Sequence, residues 1–355
     1  MKSIKKTMML GALLLPMSAM SVCYNKTTYE ITTGSKTGTY IQIGNNLSKY
    51  VAPDACIKLD VLTSGGSLDN VYKLISPKYP RLKFAIIQND VLQELERRAA
   101  NGEKKSQKLF ESLRVIKPLY NEEIHILARA DSDINTFGDL KGKRIGIATA
   151  KSGTAMTSKL LYRELFNEDM KNIKYNPYKV NLKDLLREKT IDALVVVAGQ
   201  PTSKLSKKMG KTADKQIKLI SYDEKSAKHK PVESYYTADI YAKNYPWLHN
   251  DVSSLTTKAF LVTYNYKNKG TTSKIKKFVE SLNNNLSSMQ RDSSKDDNTP
   301  HTKWKQVSNE CNPPLPGGWK YHPVVNEVCG FTSSSPSKTS SSGCSDDDKV
   351  VGLCE

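Results

Sequence analysis

The 355-residue sequence has no internal apolar run long enough to span a bilayer. It has no CxxC pair, and its five histidines are scattered, so no zinc site is spelled out. The nearest approach to a phosphate loop is Gly146-Ile147-Ala148-Thr149-Ala150-Lys151-Ser152. It is one residue short, with alanine where the second glycine belongs, which excludes a P-loop ATPase. No G-x-S-x-G elbow occurs. His125 falls inside an apolar strand, where a satisfied structural histidine is expected rather than the base a hydrolase needs. Basic and aromatic residues are not interleaved as in nucleic-acid-binding surfaces. The formal net charge is +18, or +15 with Lys2, Lys5 and Lys6 left out. Its lysines are spread among acids and read as a solvated basic surface. The expectation is a protein that is not an enzyme, with no cofactor, no metal and no nucleic-acid partner.

What is present begins with an export pattern. Lys2, Lys5 and Lys6 precede the apolar run Met8 to Pro16, and small residues follow at Ala19 and Ser21. Residues 1–21 read as a secretory signal cleaved after Ser21. Met20-Ser21-Val22-Cys23 is a poor lipoprotein box, because Val22 is too large for its position, so a soluble exported protein is expected. All six cysteines, Cys23, Cys56, Cys311, Cys329, Cys344 and Cys354, follow the signal. An even count in an exported chain points to disulfides. Cys23 and Cys56 each precede a strand-like run, and neighbouring parallel strands start at one sheet edge, within disulfide reach. The other four pair most simply as Cys311–Cys329 and Cys344–Cys354, out of fifteen connectivities open to six cysteines.

The chain is organised around Thr33-Gly34-Ser35-Lys36-Thr37-Gly38-Thr39-Tyr40. A strand-like run, Thr28 to Thr32, precedes it. A helical run with Tyr40, Ile43, Leu47 and Tyr50 on one face follows. Ser35, Thr37 and Thr39 can cap that helix, whose free N–H groups favour an anion. The same device recurs: a strand from Cys56 to Val61, then Thr63-Ser64-Gly65-Gly66-Ser67 with Ser67 as candidate N-cap, then a helix. Phe84-Ala85-Ile86-Ile87 reads as a strand buried on both faces, ending in Gln88-Asn89-Asp90. A second alternating unit places strands at Ile124–Ala128, Ile145–Ala148 and Ile191–Val197, with Ser152-Gly153-Thr154 opening a helix. Alternation of this kind argues for open parallel sheets, with ligands beyond the carboxyl ends of the strands. The tyrosine-rich stretch Tyr235 to Trp247 reads as irregular. Phe260 to Val262 reads as strand and Ile275 to Leu286 as helix. From about Asp292 the composition turns proline-, glycine- and serine-rich, and Ser333 to Ser345 reads as a linker.

Several motifs fall in one order: Gly34-Ser35-Lys36-Thr37-Gly38-Thr39-Tyr40, Thr63-Ser64-Gly65-Gly66-Ser67 with Asn70, Gln88-Asn89-Asp90, and Arg129-Ala130-Asp131-Ser132. Then come Asp139-Leu140-Lys141-Gly142-Lys143-Arg144 with Ser152-Gly153-Thr154, and Val196-Val197-Ala198-Gly199. Together they resemble the TAXI family, the substrate-binding subunits of tripartite ATP-independent periplasmic (TRAP) transporters. The resemblance spans roughly Tyr29 to Leu286. It departs in the cysteine-bearing tail and at Lys36, where small uncharged residues are usual.

The resemblance implies an α/β type II periplasmic binding-protein fold: two α/β lobes, a hinge and an interlobe ligand cleft. It implies a periplasmic protein that hands glutamate, glutamine, 2-oxoglutarate or another small carboxylate to a membrane permease. The corresponding division is lobe I over 22–125 and 226–290, lobe II over 126–225, and an extension over 291–355 outside the ligand site. A carboxylate needs N–H and O–H donors. The expected ligand contacts are Ser35, Thr37, Thr39, Tyr40, Gln88 and Asn89 from lobe I. Ser152, Gly153, Thr154 and Gly199 are expected from lobe II, with Tyr236 from the tyrosine-rich stretch. Plain helix capping is the competing role for Ser152, Thr154, Gln88 and Asn89. The alternative function is a sensor or envelope interaction module of the same fold.

Overall fold

Apolar strand-like runs alternate with amphipathic helical ones, and the chain builds one mixed sheet from them. The computed structural model describes residues 23, 25–175, 182–206, 209–294, 296 and 298–330. The expected signal segment, the serine tract and the Cys344–Cys354 pair lie outside the described residues. In the first half β1 (Thr27–Thr32), β2 (Ile57–Leu62) and β3 (Leu82–Gln88) run parallel in the order β2-β1-β3. Helices α1 (Thr39–Asn46), α2 (Ser67–Leu74), α3 (Val91–Ala100) and α4 (Lys104–Ser112) connect them. Strand β4 (Leu113–Arg129) then runs into a second half. There β5 (Ile145–Ile147), α5 (Gly153–Phe166), β6 (Ile173–Tyr175), α6 (Leu182–Leu186) and β7 (Ala193–Ala198) repeat the pattern. After α7 (Ser203–Ser206), β8 (Ile217–Leu219) pairs with β4, and β9 (Tyr236–Ile240) pairs with β10 (Val252–Tyr264). Helices α8 (Lys269–Arg291) and α9 (Pro323–Val328) complete the order.

The sheet reads β2-β1-β3-β10-β4-β7-β5-β6. Each half sets three parallel strands beside one antiparallel strand from the other half: β10 against β3, and β4 against β7. This is the two-lobed α/β arrangement of the type II periplasmic binding-protein fold, with β4 and β10 crossing between lobes. The β4–β10 register shifts between Lys258 and Phe260 and again between Leu261 and Val262. Such irregularities bend a ladder locally.

Strand β3 is buried on both faces, as its continuous apolar run demands. One face packs Tyr29, Ile31 and Phe84 against Ile43, Leu47, Phe278 and Leu282. The other packs Ile87 and Phe260 against Leu68, Val71 and Leu95. In the second half Ile145 and Ile147 meet Ala155, Leu161 and Leu165 of α5. The sequence reading assigns 226–290 to lobe I, yet Ile240, Tyr245 and Trp247 pack with Leu127, Leu194 and Val196 of the second half. They do so because β9 pairs with Val252–Thr256, before β10 enters the first half. The tyrosine-rich stretch is also more regular than expected, since it contains β9.

Both described disulfides join the cysteines paired by the sequence reading. Cys23–Cys56 spans 5.5 Å between Cα atoms, and Cys311–Cys329 spans 5.6 Å. The segment after α8 is not loosely attached. Trp304, Val307, Val324 and Val325 are buried in the core under α1 and α8. Trp319 sits edge-on to Phe260, centroids 5.3 Å apart, on the opposite face. Asn46 Oδ1 accepts from Trp304 Nε1 at 2.9 Å and from the His301 N–H at 2.8 Å. The buried Lys117 ammonium donates to the carbonyls of Glu310 and Cys311 beside the disulfide. Residues to Gly330 therefore finish the first lobe.

Candidate functional site

The ends of the parallel strands of both halves face one seam. Asn70 sets the first-lobe rim. Its Nδ2 donates to the carbonyls of Thr33 at 2.6 Å and Ile86 at 2.7 Å, and its Oδ1 accepts from Thr32 Oγ1 at 2.8 Å. One side chain thus fixes the ends of β1 and β3. The N-cap of α2 is Gly66 and not the expected Ser67, because the cap position has φ +118°, which favours glycine. Ser67 Oγ instead accepts from the Gln88 N–H at 3.0 Å and donates to Gln88 Oε1 at 3.3 Å.

From the second lobe, α5 enters with Ser152 as N-cap, its Oγ accepting from the Ala155 N–H at 3.1 Å. That is the capping role. Gly66 and Gly153 bring the starts of α2 and α5 into contact. A Cβ on Gly66 would lie 3.0 Å from the Gly153 nitrogen. A Cβ on Gly153 would overlap Gln88 Oε1 and lie 2.9 Å from Ser67 Oγ. Two positive helix ends therefore oppose each other across the seam, one from each lobe.

The other expected site residues divide. Ser35 and Thr37 are exposed on the β1–α1 loop, and Thr39 is half-buried. Helix α1 is capped by Gly38 without a side-chain bond, so the expected hydroxyl cap is not made among the described residues. Tyr40 is buried, and its hydroxyl donates to Glu122 Oε2 at 2.7 Å. Thr154 Oγ1 accepts from the Val197 N–H at 3.3 Å, which ties α5 to β7. Asn89 does not cap α3. Its Oδ1 accepts from the Lys258 N–H at 2.9 Å and from Thr257 Oγ1, which fastens the rim to β10. Gly199 lies against Lys303: a Cβ there would crowd the lysine side chain and sit 3.2 Å from the Asn121 carbonyl. Tyr236 is half-buried at the start of β9, opposite Thr256.

Beneath the seam lies a buried charged group that the sequence reading did not single out. Lys303 Nζ is 3.7 Å from Glu123 Oε1 and 3.3 Å from the Asn121 carbonyl, and it sits over the Tyr120 ring. Glu123 Oε2 accepts from the Gln200 N–H at 2.8 Å, joining this cluster to the loop after β7. Burial pushes the Glu122 carboxyl up to about 8 and the Lys258 ammonium down to about 8. Burial holds Lys303 below the usual lysine range. His125 is structural, as expected. Nδ1 bonds the Glu123 carbonyl at 3.0 Å, Nε2 bonds the Tyr245 hydroxyl at 2.7 Å, and burial drops its pKa to about 4.

Asp90 completes the seam from lobe I. Its Oδ2 accepts from Thr157 Oγ1 on α5 at 2.6 Å and from the Tyr235 hydroxyl at 3.0 Å. Asp90 was legible as the last residue of the Gln88-Asn89-Asp90 turn. Lys303 lay hidden in the segment after Asp292, which the sequence reading placed outside the ligand site. Trp319, from the same segment, donates to the Asn89 carbonyl at 2.9 Å. The tail thus touches the rim from behind. A cavity of about 90 Å³ remains between α2, α3 and α5, with Leu68, Met156 and Arg97 in its walls.

Several solved structures are similar to this chain. A Xanthomonas citri protein bound to ATP is 11% identical, with TM-score 0.48 over 86% of this chain and 96% of that one. The arginine-, lysine-, histidine-binding protein ArtJ from Geobacillus stearothermophilus is 17% identical, with TM-score 0.42 over 75% and 92%. A histidine kinase sensor domain with similarity to periplasmic binding proteins is 13% identical, with TM-score 0.45 over 75% and 93%. A family model described as NMT1-like matches residues 31–322, most of the described structure, and the chain belongs to the NMT1-like family.

Proposed function

We propose that this protein is a periplasmic solute-binding protein that captures a small carboxylate between its lobes and delivers it to a membrane permease. The observation that carries the reading is the meeting of two helix starts, α2 at Gly66 and α5 at Gly153, across the seam. Each presents a positive dipole end, and an anion between them would relieve their repulsion. Ser67 and Gln88 lie at the same junction, hydrogen-bonded to each other. The two disulfides accord with an oxidising compartment. The order of the rim motifs favours a TAXI-type subunit serving a TRAP permease.

Titration calorimetry on ligand-stripped full chain, with dicarboxylates and amino acids, tests the reading. A Kd of micromolar or tighter, about −8 kcal/mol, is expected for at least one carboxylate. If only uncharged compounds bind, the reading fails.

A further inference from the structure

Along the sequence the lysines are spread among acids, but the fold gathers a row of cations at one pole. Strands β1, β2, β3 and β4 start, and β10 ends, at the end of the first lobe away from the seam. Strand β3 has 7 residues at about 3.3 Å each, so this pole lies roughly 20 Å from the seam. Each of the five strand ends there carries a cation. Lys26 immediately precedes β1. Lys274, from α8, donates to the Cys56 carbonyl ahead of β2 at 3.4 Å, and the Thr27 N–H donates to that same carbonyl at 3.1 Å. Lys83, second in β3, donates to the Pro80 carbonyl at 2.8 Å and lies 4.7 Å from the centre of the Tyr266 ring. Lys267 lies just after β10. Arg114, second in β4, donates to the carbonyls of Glu111 at 2.9 Å and Leu113 at 2.7 Å. Burial, together with the charges of Lys267 and Arg114, lowers the His322 pKa to about 4, so these two cations bear on one spot.

The row is fastened by neutral carbonyls and a ring, and such partners hold a cation without cancelling its charge. The acids Glu30 and Glu327 at this pole are neutralised by Arg81 at 2.6 Å and Lys276 at 3.3 Å. That leaves Asp54 and Glu111 against the row and against the exposed Lys269 that opens α8. We propose that this pole is a docking surface for an anionic lipid bilayer. Neighbouring strands lie about 4.8 Å apart, so the row spans roughly 20 Å and meets several headgroup phosphates at once. A charged leaflet attracts such lysines and arginines without needing a shaped pocket. The large exposed hydrophobics among the described residues, Tyr175 and Tyr241, stand on or beside β6 and β9 in the second half. Attachment is therefore electrostatic and reversible, with no side chain driven into the hydrocarbon. The row lies wholly on the first lobe, so the lobes stay free to part while the protein is attached. The proposal needs no property of the seam and stands apart from the ligand reading.

The experiment uses the chain from Val22 onward, which holds every described residue and lacks the basic, apolar export segment. It is sedimented without ligand on vesicles of phosphatidylcholine, alone or with about one-third phosphatidylglycerol. The anionic vesicles are expected to bind it at least about tenfold more tightly. Raising salt from about 0.1 M to about 0.5 M is expected to remove most of that preference, because exposed charges are screened. Lys26→Glu, Lys267→Glu and Lys269→Glu together reverse three exposed positions of the pole. This triple is expected to abolish the preference with the unfolding midpoint unchanged. Lys171→Glu, Lys211→Glu and Lys225→Glu change the net charge equally at exposed positions of the second half, and are expected to keep it. Glutamine at the three pole positions removes charge without reversing it, and a loss of about fivefold is expected. If wild type does not prefer the anionic vesicles, or if the glutamine triple keeps full binding, the proposal is overturned. If the second-half triple loses binding as the pole triple does, net charge alone drives attachment and the pole is not the surface. If a polyaspartate peptide binds the pole as tightly as the vesicles do, the row serves an acidic protein and the lipid assignment falls.

Discussion

Glu122 is a residue whose charge state the fold controls. Its carboxyl is fully buried, accepts from Tyr40, and titrates near 8 in the folded protein against about 4.5 unfolded. The native state therefore holds a proton there that the unfolded chain has released. That contribution to stability is full below about pH 4.5 and is lost as pH rises through 8. Asp90 acts the same way but finishes near pH 6. His125, held near 4, acts oppositely up to the usual histidine range, and Lys258 acts oppositely only above about 8. Between pH 6.5 and 8 the proton on Glu122 outweighs these others. Denaturant melts are expected to show stability falling there by up to about 1.4 kcal/mol per pH unit, the value of one proton. Glu122→Gln is expected to flatten that slope. A mutant slope equal to that of the wild type would show that Glu122 is ionised in the fold.

Gly153 is the second residue with a consequence. A methyl there would overlap Gln88 Oε1 and approach Gln88 Cδ to 2.7 Å, so the lobes cannot meet as they do now. Gly153→Ala is expected to raise the radius of gyration by small-angle scattering and to weaken ligand binding. Adding Gln88→Ala removes the obstructing carboxamide and is expected to bring the radius back. If the single variant scatters like wild type, Gln88 moves aside freely and the glycine is not needed for closure. The sequence marked both residues as site candidates but not their contact. Periodicity places a residue on an element and does not say which hydroxyl finds which partner. The same limit explains Ser67 and Thr39: a serine or threonine near a helix start reads as a cap, and here a glycine holds that position.

At the scale of elements, the strands and helices were legible because their apolar runs are strong. Phe84 to Ile87, Ala193 to Val197 and the α8 row Ile275, Phe278, Leu282 and Leu286 gave their own periods. The segment after α8 was legible only in its disulfide, Cys311–Cys329. It carries its anchors singly, as Trp304, Trp319 and the pair Val324-Val325, separated by polar and turn residues. No window there looks like core. The disulfide Cys311–Cys329 closes a loop of sequence separation 18 around Trp319 and α9. A loop of that size is worth about 3 kcal/mol in the chain-entropy account. Replacing both cysteines by serine is expected to lower unfolding stability by about that amount, measured by urea denaturation. A change under about 0.5 kcal/mol would mean that Lys117 and the aromatic anchors hold the segment unaided.

At the scale of the molecule, the question is where the first lobe ends. The sequence places its end at Leu286 and makes the rest of the chain an extension. The packing places Trp304, Val307, Val324 and Val325 inside the same core as Ile43 and Phe278, and Trp319 in the core on the other face of the sheet. Removing one buried tryptophan costs about 3–5 kcal/mol. A domain's whole stability is only about 5–15 kcal/mol. Two tryptophans and three valines together exceed what the lobe can lose. A chain ended after Leu286 is therefore expected to show no cooperative unfolding transition by circular dichroism. A chain ended after Gly330 keeps every anchor, and with them Lys303 under Gly199 and Trp319 on the Asn89 carbonyl. It is expected to melt at the full-length midpoint and to bind ligand with unchanged affinity. If the Leu286 chain melts cooperatively, the tail is an appendage. If the Gly330 chain folds but binds more weakly, residues beyond 330 reach the cleft.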